Sequence, residues 1–267
     1  MRIRLVLTLL LAAVVAALPG AAPVQAYRPA LRALTFNACG NVCRYGEVGM
    51  TSANIAYQAR NLKAQIVMLQ ELCYSQFLSI RARLAPYGYT AAFGTASVGG
   101  KCDNDDHQHG EAFGVAILAR GTILSRYAHR MPSPDRSQAE GRVLLAANVR
   151  LPGRSLFVVT THTAHSGENR VAQIAALRRW ITPYARSRPV LFGGDLNLPP
   201  DSTDLDGFYQ SFGEADDSRD HPLATFQPFP QRKIDYLFGS NGHLAPAGAG
   251  RVCGGYSDHC MYLGSFR

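Results

Sequence analysis

The chain has 267 residues, 47% of them hydrophobic, a formal net charge of +8 and six cysteines. That length suits one large domain or two small ones, and the basic balance suits a polyanionic partner such as nucleic acid or an anionic membrane face. Beyond the first 26 residues no apolar run approaches the roughly 20 residues that a bilayer span needs, which excludes a membrane-spanning mature chain.

Met1-Arg2-Ile3-Arg4, the apolar stretch Leu5 to Leu18 and the small residues ending at Val24-Gln25-Ala26 have the three regions of a secretory signal peptide. Residues 1–26 are read as this leader, and residues 27–267 as one secreted domain with no linker, repeat or low-complexity tract dividing it. Loss of Arg2 and Arg4 lowers the formal charge from +8 to +6, still basic. In an exported chain the six cysteines read as disulfides. Closeness along the chain favours Cys39–Cys43 and Cys253–Cys260, which leaves Cys73–Cys102. Zinc is the competing reading; against it, no CxxC pair is present, and the carboxylates and histidines nearby suit a harder cation.

Leu31 to Ala38 alternates as a strand does. Ser52 can cap a helix with Ile55, Ala59, Leu62 and Ile66 on one face, and Ile66-Val67-Met68-Leu69 reads as a strand covered on both sides. Phe77, Ile80 and Leu84 mark a second helix. Strands follow at 113–119, 143–149, 156–161, 190–192 and 234–238, with 260–266 as a last one. Val171, Ile174, Leu177 and Ile181 form an amphipathic helix with arginines opposite. Many strands, few helices and both hairpin and crossover spacings indicate an α/β or α+β sandwich.

The polar residues of interest sit where apolar runs end, at Asn37, Glu71, His162 and Asp195. Strand ends feeding loops let a rigid scaffold aim side chains into one cleft. In Gly193-Gly194-Asp195-Leu196-Asn197 two glycines allow a tight backbone, and Asp195 and Asn197 can face the same way. Ser257-Asp258-His259 sets a carboxylate beside an imidazole that can act as base.

Thr-Phe-Asn ending at Asn37, Leu-Gln-Glu at Glu71, Gly-Glu-Ala-Phe-Gly-Val-Ala-Ile-Leu from Gly110 and Glu-Gly-Arg-Val from Glu140 are followed by Thr-Thr-His at His162, Gly-Asp-Leu-Asn from Gly194, Lys-Ile-Asp-Tyr at Asp235 and Ser-Asp-His at Asp258. In order and spacing this series resembles the endonuclease/exonuclease/phosphatase superfamily from residue 31 to 262. The resemblance implies a four-layer sandwich, two mainly antiparallel sheets face to face with helices outside. It implies Glu71 as principal ligand of Mg²⁺ or Mn²⁺, aided by Asn37 and Asp258, with His259 as general base oriented by Asp235. His162 and Asn197 would hold the phosphate, and Asp195 would orient the nucleophile or assist the leaving group.

A donating His162 calls for an acidic partner, with Glu111 as candidate. Arg142 reads first as a rim ion pair and second as a phosphate contact. Residues 102–109, rich in Asp, lack the glycine and distal glutamate of a calcium-binding loop. They read as a disulfide-anchored loop, with a weak structural Ca²⁺ site as the alternative.

Together these observations point to a secreted, monomeric, divalent-metal-dependent phosphodiesterase, first of all an endonuclease acting on DNA or RNA. A sphingomyelinase-type phospholipase C would need apolar residues to enter a lipid interface. The one segment offering them, Ala224 to Pro230, is expected to pack locally beside the strand of Asp235. An inositol phosphate phosphatase is a further alternative. A non-catalytic binding module is disfavoured because every metal and base residue is present.

Overall fold

The computed structural model describes residues 29–43, 47–98, 102, 112–137, 140–216, 218–254 and 256–267. The leader, Glu111 and nearly all of the 102–109 segment lie outside them. Among the described residues no helix is long and apolar enough to cross a membrane.

Two six-stranded sheets make up the fold. The first contains β1 (Leu31–Asn37), β2 (Ile66–Cys73), β3 (Tyr89–Val98), β4 (Ala112–Arg120), β11 (Pro246–Val252) and β12 (Met261–Phe266), in the order β11-β12-β1-β2-β4-β3. The second contains β5 (Thr122–Arg130), β6 (Val143–Leu151), β7 (Arg154–His162), β8 (Val190–Asp195), β9 (Phe212–Glu214) and β10 (Asp235–Ser240), in the order β5-β6-β7-β8-β10-β9. Each sheet is antiparallel except for one central parallel pair, β1 with β2 and β7 with β8. A parallel pair needs a crossover connection. The two crossovers are α1 (Gly49–Asn61) and α3 (Gly167–Ala185). Helices α2 (Tyr74–Leu84) and α4 (Asp206–Tyr209) complete the set.

The layering follows from the period-two alternation of buried strands. On β2, Ile66 and Met68 enter the core between the sheets with Leu145, Val158, Leu191 and Tyr262. Val67 and Leu69 face the other way, onto Ile55 and Ala59 of α1 and Phe77 and Ile80 of α2. The outer face of the second sheet is covered by Ile174, Leu177 and Ile181 of α3, which pack on Phe157 and Phe192. The result is the expected α/β/β/α sandwich.

Helix details depart from the sequence reading. Helix α1 starts at Gly49, so Ser52 lies inside it and its hydroxyl reaches the Gln76 carbonyl at 3.4 Å. The capping work falls to Glu47, whose carboxylate accepts from the amides of Met50 and Thr51. Those amides hold the Glu47 carboxyl below its ordinary value against a burial effect of opposite sign. Leu62 is the C-cap and Ile66 already belongs to β2. Val171 is 52% exposed, because Asn169 and Gln173 take the inward positions of the first turns of α3.

All three expected disulfides form, Cys39–Cys43, Cys73–Cys102 and Cys253–Cys260, and no free cysteine remains among the described residues. The zinc reading is therefore left without thiolates. One polar chain crosses the core: Gln70 Nε2 donates to the hydroxyls of Thr35 and of Thr160, tying the first sheet to the second one residue before Glu71.

Candidate active site

Three neighbouring strands set the base of the site. Asp195, the last residue of β8, pairs in register with His162 on β7 and with Asp235 on β10, so the three side chains leave one rim of the sheet together. The register requires the two glycines before Asp195. A Cβ at Gly194, whose φ is +141°, would stand 2.0 Å from the Thr161 carbonyl oxygen, and one at Gly193 2.4 Å from that of Tyr236. From the first sheet, Asn37 ends β1 and pairs with Gln70. A register shift between Leu69 and Leu72 then turns Glu71 into the left-handed region, at φ +51°. Gly40 donates its amide to the Glu71 carbonyl at 2.7 Å and leaves no room for a Cβ there.

Asp195 Oδ2 is where the two sheets meet. Asn37 Nδ2 donates to it at 3.0 Å and to Glu71 Oε1 at 3.0 Å. His162 Nε2 lies 3.4 Å from it and His259 Nε2 3.6 Å. Its other oxygen accepts the amide of Asn197, whose φ is +52° and whose Nδ2 is 3.1 Å from His162 Nε2. His259 Nδ1 is 2.7 Å from Asp235 Oδ2. Ser257 Oγ, 2.8 Å from the Asn37 carbonyl and 3.3 Å from Asp258 Oδ1, joins Asp258 to the same rim.

Burial raises the Asp195 carboxyl to about 7, with the charge of Asp235 adding to the effect and His259 and Asn37 opposing it. Glu71 is raised by burial and by Glu140, against its hydrogen bond from Asn37 and the charge of Arg142. For His259, burial alone would lower the imidazolium; the charge and hydrogen bond of Asp235, then Asp195 and Asp258, outweigh it and hold the group up at about 10.

This crowding of carboxylates is the physical test of a metal. Asp195, Asp235 and His259 offer ligand atoms within 4.8 Å of one another, Asn37 links Asp195 to the Glu71 carboxylate, and the raised Glu71 and Asp195 carboxyls would be relieved by a cation beside them. The residues fit a divalent ion. In this structure Asn37 Oδ1 accepts the Cys39 amide at 2.9 Å and its Nδ2 faces the carboxylates. Cys39, Cys43 and Asp258 also come close together, but both sulfurs are spent in a disulfide.

Arg142 does more than the rim reading gives it. It pairs with Glu140 at 3.2 Å, as the rim reading has it, but its side chain is only 7% exposed and its Nη1 is 2.6 Å from His162 Nδ1. A guanidinium only donates, so Nδ1 accepts and the ring proton sits on Nε2, facing Asp195. Glu111, the acidic partner expected for this ring, lies outside the described residues; among the described ones Glu71 Oε1 lies 3.6 Å from Nδ1.

Sequence reasoning missed several supporting residues. Thr225 Oγ1, fully buried, accepts the amides of Ile234 and Asp235. Arg170 donates to the Asn197 carbonyl at 3.0 Å. Lys233 is buried 3.5 Å from Glu214 and 3.8 Å from Asp216, with its ammonium over the Tyr262 ring. The segment 224–230 divides: Phe226 packs on the His259 ring at 5.1 Å as expected, whereas Phe229 is 96% exposed and does not pack locally.

The fold is shared with solved structures. An endonuclease/exonuclease/phosphatase from Bacteroides vulgatus superposes with a TM-score of 0.71 at 19% identity, covering 90% of this chain and 99% of that one. The human Nocturnin catalytic domain with bound sulfate gives 0.70 at 17%, covering 90% and 93%. A mannosyl-6-phosphatase from Bacteroides thetaiotaomicron gives 0.69 at 18%, covering 89% and 99%. The uncharacterized protein YbhP of Escherichia coli is 30% identical over 84 residues, 32% of this chain and 33% of that protein. The matched stretch thus spans about a third of that curated relative's length. The model of the endonuclease/exonuclease/phosphatase family matches residues 34–259, and the chain belongs to that family of phosphoester hydrolases.

Proposed function

We propose that the chain is an exported, divalent-metal-dependent phosphodiesterase that hydrolyses nucleic acid. The observation that carries the reading is the row His162–Asp195–Asp235 with His259 and Glu71 closing on it, a base, an acid and donors within hydrogen-bond reach of one point. When bound, Mg²⁺ or Mn²⁺ held by Glu71 with Asp258 would neutralise charge on the phosphoryl oxygens and acidify water.

The chain's own groups supply the rest. His259, its Nδ1 anchored on Asp235, presents Nε2 to take the proton of the attacking water. In the metal-free site Asp235, Asp195 and Asp258 favour the imidazolium, and the ring takes up the water's proton only in its neutral form. His162 presents Nε2 and Asn197 its amide, which also donates to the Thr163 carbonyl, toward the phosphate, and Arg142 adds fixed positive charge behind them. Asp195, its carboxyl raised by burial and by the charge of Asp235, is placed to orient the nucleophile or to hand a proton to the leaving oxygen. Asn37 fixes the carboxylates of Glu71 and Asp195 relative to each other.

The basic charge suits a polyanionic substrate such as nucleic acid. The test is a panel of plasmid DNA, RNA, sphingomyelin vesicles and an inositol phosphate, with EDTA and with Mg²⁺ or Mn²⁺. Metal-dependent cleavage of nucleic acid, abolished in His259→Ala, is expected. Turnover of the lipid or the monoester alone sinks the nuclease reading, and full activity in His259→Ala sinks the assignment of the base.

A further inference from the structure

The backbones of Phe226 and Arg232 pair with each other and close a loop over Gln227-Pro228-Phe229-Pro230-Gln231. This loop is fastened to the catalytic residues on both sides. Phe226 bridges to His259, and the Gln227 amide donates to the Asp258 carbonyl at 2.8 Å. Gln227 Nε2 lies 2.8 Å from Cys260 Sγ, and Thr225, which begins the hairpin, accepts the amide of Asp235. At the tip Phe229 is 96% exposed, the most exposed large apolar side chain among the described residues. It stands two residues from Gln227, hence within about 7 Å of it along the chain.

An exposed phenyl ring costs solubility and gains nothing in the fold, and prolines on both sides fix its backbone. We propose that Phe229 is a stacking platform for an unpaired base next to the scissile phosphate, making the preferred substrate single-stranded nucleic acid. This rests on the nuclease reading above and narrows it. A membrane-entering loop would bring several apolar side chains. Here one ring stands between two glutamines, above a stem carrying Arg232, exposed with its guanidinium over Phe226, and next to Arg251 of β11, which donates to the Ala224 carbonyl. A lone ring on a loop whose stem is flanked by arginines is what base stacking and phosphate contact require of a single-strand site. A base inside a duplex is already stacked and offers no free face.

The test measures binding by fluorescence anisotropy in EDTA, with a labelled single-stranded oligothymidylate and the same chain carrying tetrahydrofuran in place of its bases. Wild-type protein should bind the base-bearing strand about 5- to 150-fold tighter. Phe229→Ala should bring the two affinities together, and Phe229→Trp should keep them apart. A ratio unchanged in Phe229→Ala overturns the proposal. So does binding of sphingomyelin–phosphatidylglycerol vesicles that Phe229→Ala abolishes, which would place the ring in a membrane. Wild-type protein that cleaves neither DNA nor RNA when supplied with Mg²⁺ or Mn²⁺ overturns the nuclease reading itself, a result separate from the anisotropy ratio.

Discussion

Replacing Asp235 by Asn leaves the volume of the side chain almost unchanged and removes one charge 2.7 Å from His259 Nδ1. His259 is 4% exposed, so solvent screens that charge little, and the Asp235 carboxylate is the main influence raising the imidazolium to about 10. Measured from an ordinary value near 6.5, the rise corresponds to a preference for the charged ring on the order of 5 kcal/mol. In Asp235→Asn burial is opposed only by Asp195 and Asp258, and the ring should titrate well below the wild-type value. Because the folded state holds its proton more tightly than the unfolded chain, wild-type stability from this group is complete below about pH 6.5 and is lost as pH rises through 10. The slope in that window approaches about 1.4 kcal/mol per pH unit. NMR titration of the His259 ring in EDTA, assigned with His259→Ala, reads the first quantity; urea melts between pH 7 and 10 read the second. An Asp235→Asn protein whose ring still titrates near 10, or whose stability falls with the same slope, would refute the assignment of the shift to this contact.

Gly194→Ala would force a Cβ to 2.0 Å from the Thr161 carbonyl at φ +141°. We expect a loss on the order of 3 kcal/mol or more, a fall in Tm of about 6–12 °C, and loss of activity as Asp195 leaves register with His162. An unchanged melting curve argues against that backbone geometry. Thr225→Val removes the shared acceptor of two buried amides and should cost about 2–4 kcal/mol in urea denaturation, with Tyr236→Phe as a milder control that loses one hydrogen bond, to the Leu198 carbonyl. Lys233→Met leaves Glu214 buried without its cation. Burial raises Glu214 to about 7 even against Lys233, so the carboxyl is neutral well below that pH. The variant should therefore be near wild type in stability at pH 5 and clearly weaker at pH 8; equal losses at both would show that the packing of Lys233 matters more than its charge.

The strands buried on both faces were legible because burial writes itself into composition. β2, β6, β7 and β8 read as apolar runs, and their true ends fall within a few residues of the expected ones. β5, β9 and β11 were not read, and neither was β3. β5 is mostly exposed, and β11 is Pro-Ala-Gly-Ala-Gly-Arg-Val, which carries no alternation of its own and is a strand because β12 pairs with it. Edge strands take their conformation from a partner, and single-sequence periodicity cannot register a partner. The same limit applies at the site. Ligand and base types were visible at strand ends, but the placement of Arg142 behind His162 depends on β6 lying beside β7, and that of Asn37 between Glu71 and Asp195 on how the two sheets face each other. The solvent exposure of Phe229 follows from a closed hairpin that the sequence Gln-Pro-Phe-Pro-Gln does not announce.

The arrangement of the parallel pairs explains why the chemistry gathers where it does. Side chains at the carboxyl ends of adjacent parallel strands emerge at the same rim, which is where open α/β sheets bind ligands. Each sheet here has one such pair, and the pairs pack on each other across the core, β1 and β2 against β7 and β8. Asn37 and Glu71 therefore come from one sheet, His162 and Asp195 from the other, and the contacts that define the site run between them: Asn37 to Asp195 and Glu71 to His162. A site built this way has no integrity within either sheet alone. Its distances are set by the thickness of the inter-sheet core, where Met68 lies against Gly193 and Gln70 bonds to Thr160. The glycine pair that lets β8 fit between β7 and β10 and the polar link beneath Glu71 thus act on the same quantity, the gap across which a phosphate and its cation must be held.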